Sequence, residues 1–141
     1  MKKLFFYLLV LLTASACYER REREDPRPEL AGTYQISTIN VTVGTVTAAG
    51  SAGTVTVTRR SDTQIALALT ATVQVAATGQ NVVFNNQDLG TGDIREVSGG
   101  NYDILDGTER VGSINGTDLN LDIVGADPQG QLIRVRITAR K

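Results

Sequence analysis

The chain has 141 residues, one cysteine, no histidine, no tryptophan and a formal charge of −1. A length of this order is a prior for one domain. The lack of histidine removes the commonest general base and transition-metal ligand, and the charge argues against binding nucleic acid.

The chain opens with Met1-Lys2-Lys3, an apolar run from Leu4 to Leu12, and then Thr13-Ala14-Ser15-Ala16-Cys17. Basic residues, a short apolar core and small residues before a cleavage point have the layout of a secretory signal peptide over residues 1–16, too short for a permanent bilayer span. The only cysteine stands at the cleavage point. Ala14-Ser15-Ala16-Cys17 resembles the lipobox of bacterial lipoproteins, with Ala14 where leucine is commonest. The resemblance implies that Cys17 becomes the first residue of the mature chain and carries acyl chains on its sulfur and its amino group, making the membrane a partner. More than one acyl chain gives lasting attachment, at about 0.8 kcal/mol per buried methylene. Tyr18 stands where the inner-membrane retention signal of that family has aspartate, which implies the outer membrane of a two-membrane bacterium. Periplasm and cell surface both remain open as the face that carries it.

Loss of Lys2 and Lys3 with the signal takes the formal charge from −1 to −3. With Cys17 acylated no thiol is left for a disulfide, so packing alone must hold the domain. Residues 17–29 read as a flexible charged tether. Tyr18 to Glu29 interleaves glutamates with arginines, holds Pro26 and Pro28, and is nearly devoid of apolar residues, too few to offset the entropy of ordering. Two alternatives are a short helix over Glu19 to Asp25, ended by Pro26, and contacts from Arg20, Arg21 and Arg23 to lipid phosphates.

Residues 30–141 are rich in valine, threonine and glycine and carry an all-β pattern. The first strand begins near Tyr34, and its apolar positions, Tyr34, Ile36, Ile39, Val41 and Val43, slip phase once. A slip of one residue is the mark of a β-bulge, expected near Ser37-Thr38. The small-residue run from Gly44 to Ala52 reads as a hairpin loop or a mobile segment, followed by a strand at Gly53 to Arg59. From Ile65 to Val75 the odd positions are apolar throughout, giving one dry face. Separate strands are expected at Asn81 to Phe84, around Ile94, at Asn101 to Leu105 and at Thr108 to Ser113. Leu119, Leu121 and Ile123, then Ile133, Val135, Ile137 and Ala139, mark the last two.

Parity suggests registers. A two-residue turn at Asp106-Gly107 sets Tyr102 opposite Val111 and Asp103 opposite Arg110. A two-residue turn at Asn115-Gly116 would set outward Arg110 against inward Leu121, so a three-residue loop Ile114-Asn115-Gly116 is expected, with Gly116 left-handed and Val111 opposite Leu119. The last hairpin, turned by a type I turn at Asp127-Pro128-Gln129-Gly130, pairs outward Asn120 and Asp122 with Arg134 and Arg136 or with residues two places away.

Consecutive hairpins with one dry face suit a small antiparallel up-and-down barrel of about eight strands, which leaves no exposed sheet edge. A β-sandwich is the rival architecture. Leu30-Ala31-Gly32-Thr33-Tyr34 resembles the Leu-x-Gly-x-Trp or Tyr opening of the lipocalin-like domains found in bacterial lipoproteins, and the Gly-containing hairpins and basic final strand are similar too. The resemblance implies a barrel that holds one small apolar or lipid-like ligand, with Tyr34, Ile36, Leu67, Leu69, Phe84, Tyr102, Val111, Leu121 and Val135 as candidate lining residues. The same residues would also serve as ordinary core. The second functional class is a filled barrel that docks another envelope protein as an inhibitor or assembly subunit. No enzyme is expected and no cofactor or metal is assigned. The best carboxylate pairs, Asp103 with Asp106 and Asp88 with Asp93, fall in turn-rich segments that read as solvated. Asp88-Leu89-Gly90-Thr91-Gly92-Asp93 lacks the spacing of an EF-hand loop, and no helix follows its Gly-x-Gly to cradle phosphate.

Overall fold

Alternating apolar and polar side chains give each extended segment one dry face, and closing the sheet on itself buries that face without a second layer. The computed structural model describes residues 28–141, so the expected signal peptide, Cys17 and the tether through Arg27 lie outside the described residues. Eight strands follow one another, β1 (Gly32–Val43), β2 (Val46–Ser61), β3 (Gln64–Val75), β4 (Asn81–Ser98), β5 (Asn101–Asp106), β6 (Glu109–Ile114), β7 (Asp118–Ala126) and β8 (Leu132–Arg140). Each pairs antiparallel with the next, and β8 pairs back on β1, so the sheet is a closed ring. The chain enters at one end, here called proximal, beside the loops at 62–63, 99–100 and 115–117. The distal end carries the turns at 44–45, 76–80, 107–108 and 127–131.

The phase slip in β1 is a bulge. Ile36 faces Ala139 and Thr38 faces Thr138 in the pairing with β8, which leaves Ser37 as the extra residue. Tyr34, Ile36, Ile39 and Val41 are therefore all buried. The alternation of β3 holds as well, with Ile65, Leu67, Leu69, Ala71 and Val73 all buried. Opposite outward faces, Asp122 lies across from Arg136, and Arg134, diagonal to it, donates to both of its oxygens at 2.7 and 2.6 Å. The last turn has the type I bond, Gly130 N to Asp127 O at 2.9 Å.

Four expectations need correction. The run from Gly44 to Ala52 is not a loop: only Gly44-Thr45 turns, Val43 faces Val46, and the small residues form the first half of β2. They are small because strand backbones pass close together there, as the contacts around Gly50 and Gly53 show. The strands at Asn81–Phe84 and around Ile94 are one strand, β4, interrupted by two register shifts against β3. Asn86, at φ 50, sits in one of them, so a bulge had the sequence character of a turn.

The β5–β6 turn is Gly107-Thr108, with Asp106 opposite Glu109 and Leu105 opposite Arg110. A shift then puts Ile104 opposite Gly112 and Tyr102 opposite Ile114, not Val111. Glycine hides the parity: Gly112 is the inward residue, and Leu121 Cδ2 lies 2.9 Å from where its Cβ would be. The β6–β7 connection has the expected three residues but lies one place later, at Asn115-Gly116-Thr117, and it is Ile114, not Val111, that faces Leu119. Asn115 Oδ1 accepts from the backbone N–H of Thr117 (3.0 Å) and Asp118 (2.8 Å), and Gly116 is left-handed as expected, at φ 87.

Candidate functional site

The inward side chains make one apolar cluster that runs from Leu30 beneath the proximal end to Val41 and Val73 near the distal end. No polar or charged residue is buried in it among the described residues. Of the nine candidate lining residues, Tyr34, Ile36, Leu67, Leu69, Tyr102 and Leu121 belong to this cluster, each no more than 8 % exposed. Phe84, Val111 and Val135 are half-buried and pack on it from the distal side, together with Val43, Val75, Leu89 and Ile123. The nine are thus split between a filled core and an apolar mouth. Sequence periodicity finds inward residues but not depth along the ring, and so does not single out Leu89 and Ile123.

The mouth exists because β5 and β6 are short. Beneath their turn, Leu67, Leu89, Ile104, Val111 and Ile123 bound a pocket of about 40 Å³, with Asp106 at its lip. Pockets that hold small ligands measure roughly 300–1,000 Å³. A larger groove, about 370 Å³, lies where β6 and β7 part, lined by Arg110, Val111, Asp122, Val124 and Arg134 among others. Its lining mixes charges of both signs with Val111, Leu121 and Val124.

The proximal end is sealed by the two ends of the domain. Tyr34 Oη donates to Leu30 O at 2.8 Å. Lys141 Nζ donates to Glu29 O (3.0 Å) and Ala31 O (2.8 Å) and stands 5.6 Å from the centre of the Tyr34 ring. Burial, and secondly the carboxylate of Glu29, push the Tyr34 hydroxyl up to about 12. Nothing in the sequence marked Lys141 as a partner of the opening motif.

The carboxylate pairs are taken apart by the strands. Asp103 faces outward, where it accepts from Arg110 Nε at 2.6 Å and from Arg95 at 3.4 Å, while Asp106, three places on, lies on the opposite side of β5. Asp88 Oδ1 accepts from Gly90 N at 2.8 Å and Asp93 Oδ1 from Gln64 at 3.3 Å. Among the described residues no three acidic, histidine or cysteine side chains gather as they would around a metal.

Hydrogen bonds from Arg110 hold the Asp103 carboxyl below the usual carboxylate range, and those from Arg134 do the same to Asp122. A depressed folded value means stability that is present at neutral pH and lost as pH falls through it, below about 4. Both pairs lie on the outer face with their arginines in contact with solvent, so the loss is small. The melting temperature should hold level from about pH 7 to 5 and fall below 4. The double variant Asp103→Asn, Asp122→Asn should show a shallower fall in the same low-salt melts, and an unchanged slope would refute the assignment.

Comparison of the chain with protein-family models, with curated proteins and with solved structures gave no match.

Proposed function

We propose that the chain is a lipid-anchored, lipocalin-like barrel of the outer membrane that works as a protein-interaction subunit rather than as a carrier. The observation that carries this reading is the filled interior: six of the nine candidate lining residues are core, and the pocket that inward residues bound holds about 40 Å³. The anchor rests on the signal layout and on Cys17 in its lipobox-like setting. Pro28, near the end of the tether, packs beside Gly100 and Gly116 at the proximal end, so the anchor side of the chain meets the ring opposite its distal mouth.

A second reading, capture of a small apolar molecule, draws on the half-buried Phe84, Val111 and Val135 at that mouth. Native mass spectrometry of the full chain, extracted gently from its own envelope, separates the two. The interaction reading expects a stoichiometric protein complex with no bound lipid beyond the anchor; a co-purifying apolar molecule without a protein would transfer the function to the second. Cys17→Ala should move the protein from the membrane to the soluble fraction with an unchanged far-ultraviolet spectrum. A variant that stays with the membrane would rule out the anchor.

A further inference from the structure

β4 is long, but its second neighbour is short. β5 pairs with Asp93–Ser98 alone, so Asn81–Gly92 has β3 on one side and, among the described residues, no strand on the other. Across the gap β7 leaves β6 after Leu121, and Asp122–Ala126 pairs only with β8. The ring is thus notched at its distal rim, with the β5–β6 turn as the floor of the notch.

An unpaired strand edge is a template for another strand, and proteins usually blunt one with charged side chains, proline, bulges or cover. Asn81–Gly92 has no lysine, arginine or proline. Its two bulges kink the lower part, and Asn81–Phe84 pairs with β3 without a shift. Val82 and Val83 on that straight stretch are 41 % and 68 % exposed. Val82 and Phe84, opposite inward Val73 and Ala71, look into the apolar mouth, so an added strand would also cover it.

The lower part of the notch is acidic. Asp106 lies beside Leu89–Gly92, with Glu109 across the turn from it. Neither makes an ion pair among the described residues, whereas Arg110 and Arg134 nearby are bound to Asp103 and Asp122, each at 2.6 Å.

We propose that the free edge of β4 receives an extended segment of a partner protein, alternating apolar with uncharged side chains and carrying lysine or arginine at the end that meets Asp106 and Glu109. This rests on the interaction reading and names its site. Charge complementarity selects the occupant. A second copy offering its own free edge, Asn81–Gly92, brings no base to the acidic floor. The chain's own residues 18–27 alternate acids with arginines and join the domain at the opposite end.

The probe is a short peptide alternating valine and threonine, ending in two lysines and N-methylated along one edge so that it cannot stack on itself. Added to the full chain, it should slow amide exchange in Asn81–Leu89 and nowhere else to a comparable degree. Val83→Lys should weaken it at least about tenfold without changing the melt, because that side chain is exposed. The double variant Asp106→Lys, Glu109→Lys should prefer a peptide ending in two glutamates. No binding at about 1 mM peptide, or protection elsewhere, would overturn the proposal. So would a dimer that Val83→Lys dissociates, since it assigns the edge to a second copy. An envelope partner that still co-purifies with Val83→Lys would overturn the edge assignment and leave the interaction reading standing; a chain with no partner that still binds the peptide at β4 would do the reverse.

Discussion

Tyr34→Ala should remove about 3–5 kcal/mol of folding stability, the usual cost of deleting a fully buried aromatic side chain. Tyr34 is fully buried and heads the ranking by volume among such residues. It also joins the two ends of the domain, through its bond to Leu30 O and through Lys141 over its ring. Tyr34→Phe isolates the hydroxyl: it keeps the ring and leaves a carbonyl without its donor, at about 1–3 kcal/mol. The wild-type hydroxyl adds a pH signature. Its folded value is raised from 10.0 to about 12, so its stabilisation is complete below pH 10 and drains away as pH rises through 12. A rise of that size corresponds to on the order of 3 kcal/mol. Denaturant melts against pH should therefore show an alkaline loss in the wild type and a smaller one in Tyr34→Phe. Identical profiles would mean that Tyr34 is ordinary core and does not latch the proximal end.

How much of this was legible depended on which side chains carried the signal. The bulge at Ser37 was readable because large apolar residues stand on both sides of it and display the change of phase. Inward Gly112 has no side chain to display, so parity passed to half-buried Val111 and the β5–β6 register came out displaced. The Asp103–Arg110 contact survived the displacement because an arginine reaches diagonally across a strand pair. β4 was read as two strands because Asn86 and Gly90 take positive φ inside it and look like turn residues. The candidate lining set was legible only as an inward set. Whether an inward residue is core or mouth depends on how far up its neighbours extend; β5 and β6 are legible as short, but that they leave β4 uncovered shows only once Asn81–Ser98 is a single strand. Lys141 and Tyr34 lie far apart in sequence and meet only because β8 closes on β1.

Gly53→Val should be as costly as loss of the Tyr34 side chain, for a backbone reason. Gly53 has φ +136, and a Cβ there would collide with Thr70 O and stand 2.7 Å from Ala71 Cα and 2.8 Å from Ala71 Cβ. Strain at such a φ costs on the order of 1–3 kcal/mol, and overpacking typically adds another 1–3. Ala71, its partner across β2–β3, is nearly the smallest residue that could stand there, so neither side of the pair has room to give. Gly125→Val is the matched control, because nothing lies within 4 Å of its Cβ position and its strand favours valine; it should stay within about 0.5 kcal/mol of wild type. Urea unfolding of the two variants decides between two accounts of the small-residue run. If small residues are there because β2 and β3 pass close, Gly53→Val loses midpoint steeply and Gly125→Val does not. If both melt like the wild type, Gly53 is a tolerant position and the first half of β2 does not hold the wall against β3. A steep loss at Gly53 alone would make the wall of β1, β2 and β3, charged only at Arg59 and Arg60, the rigid side of the ring, against which the notched side stands open to a partner.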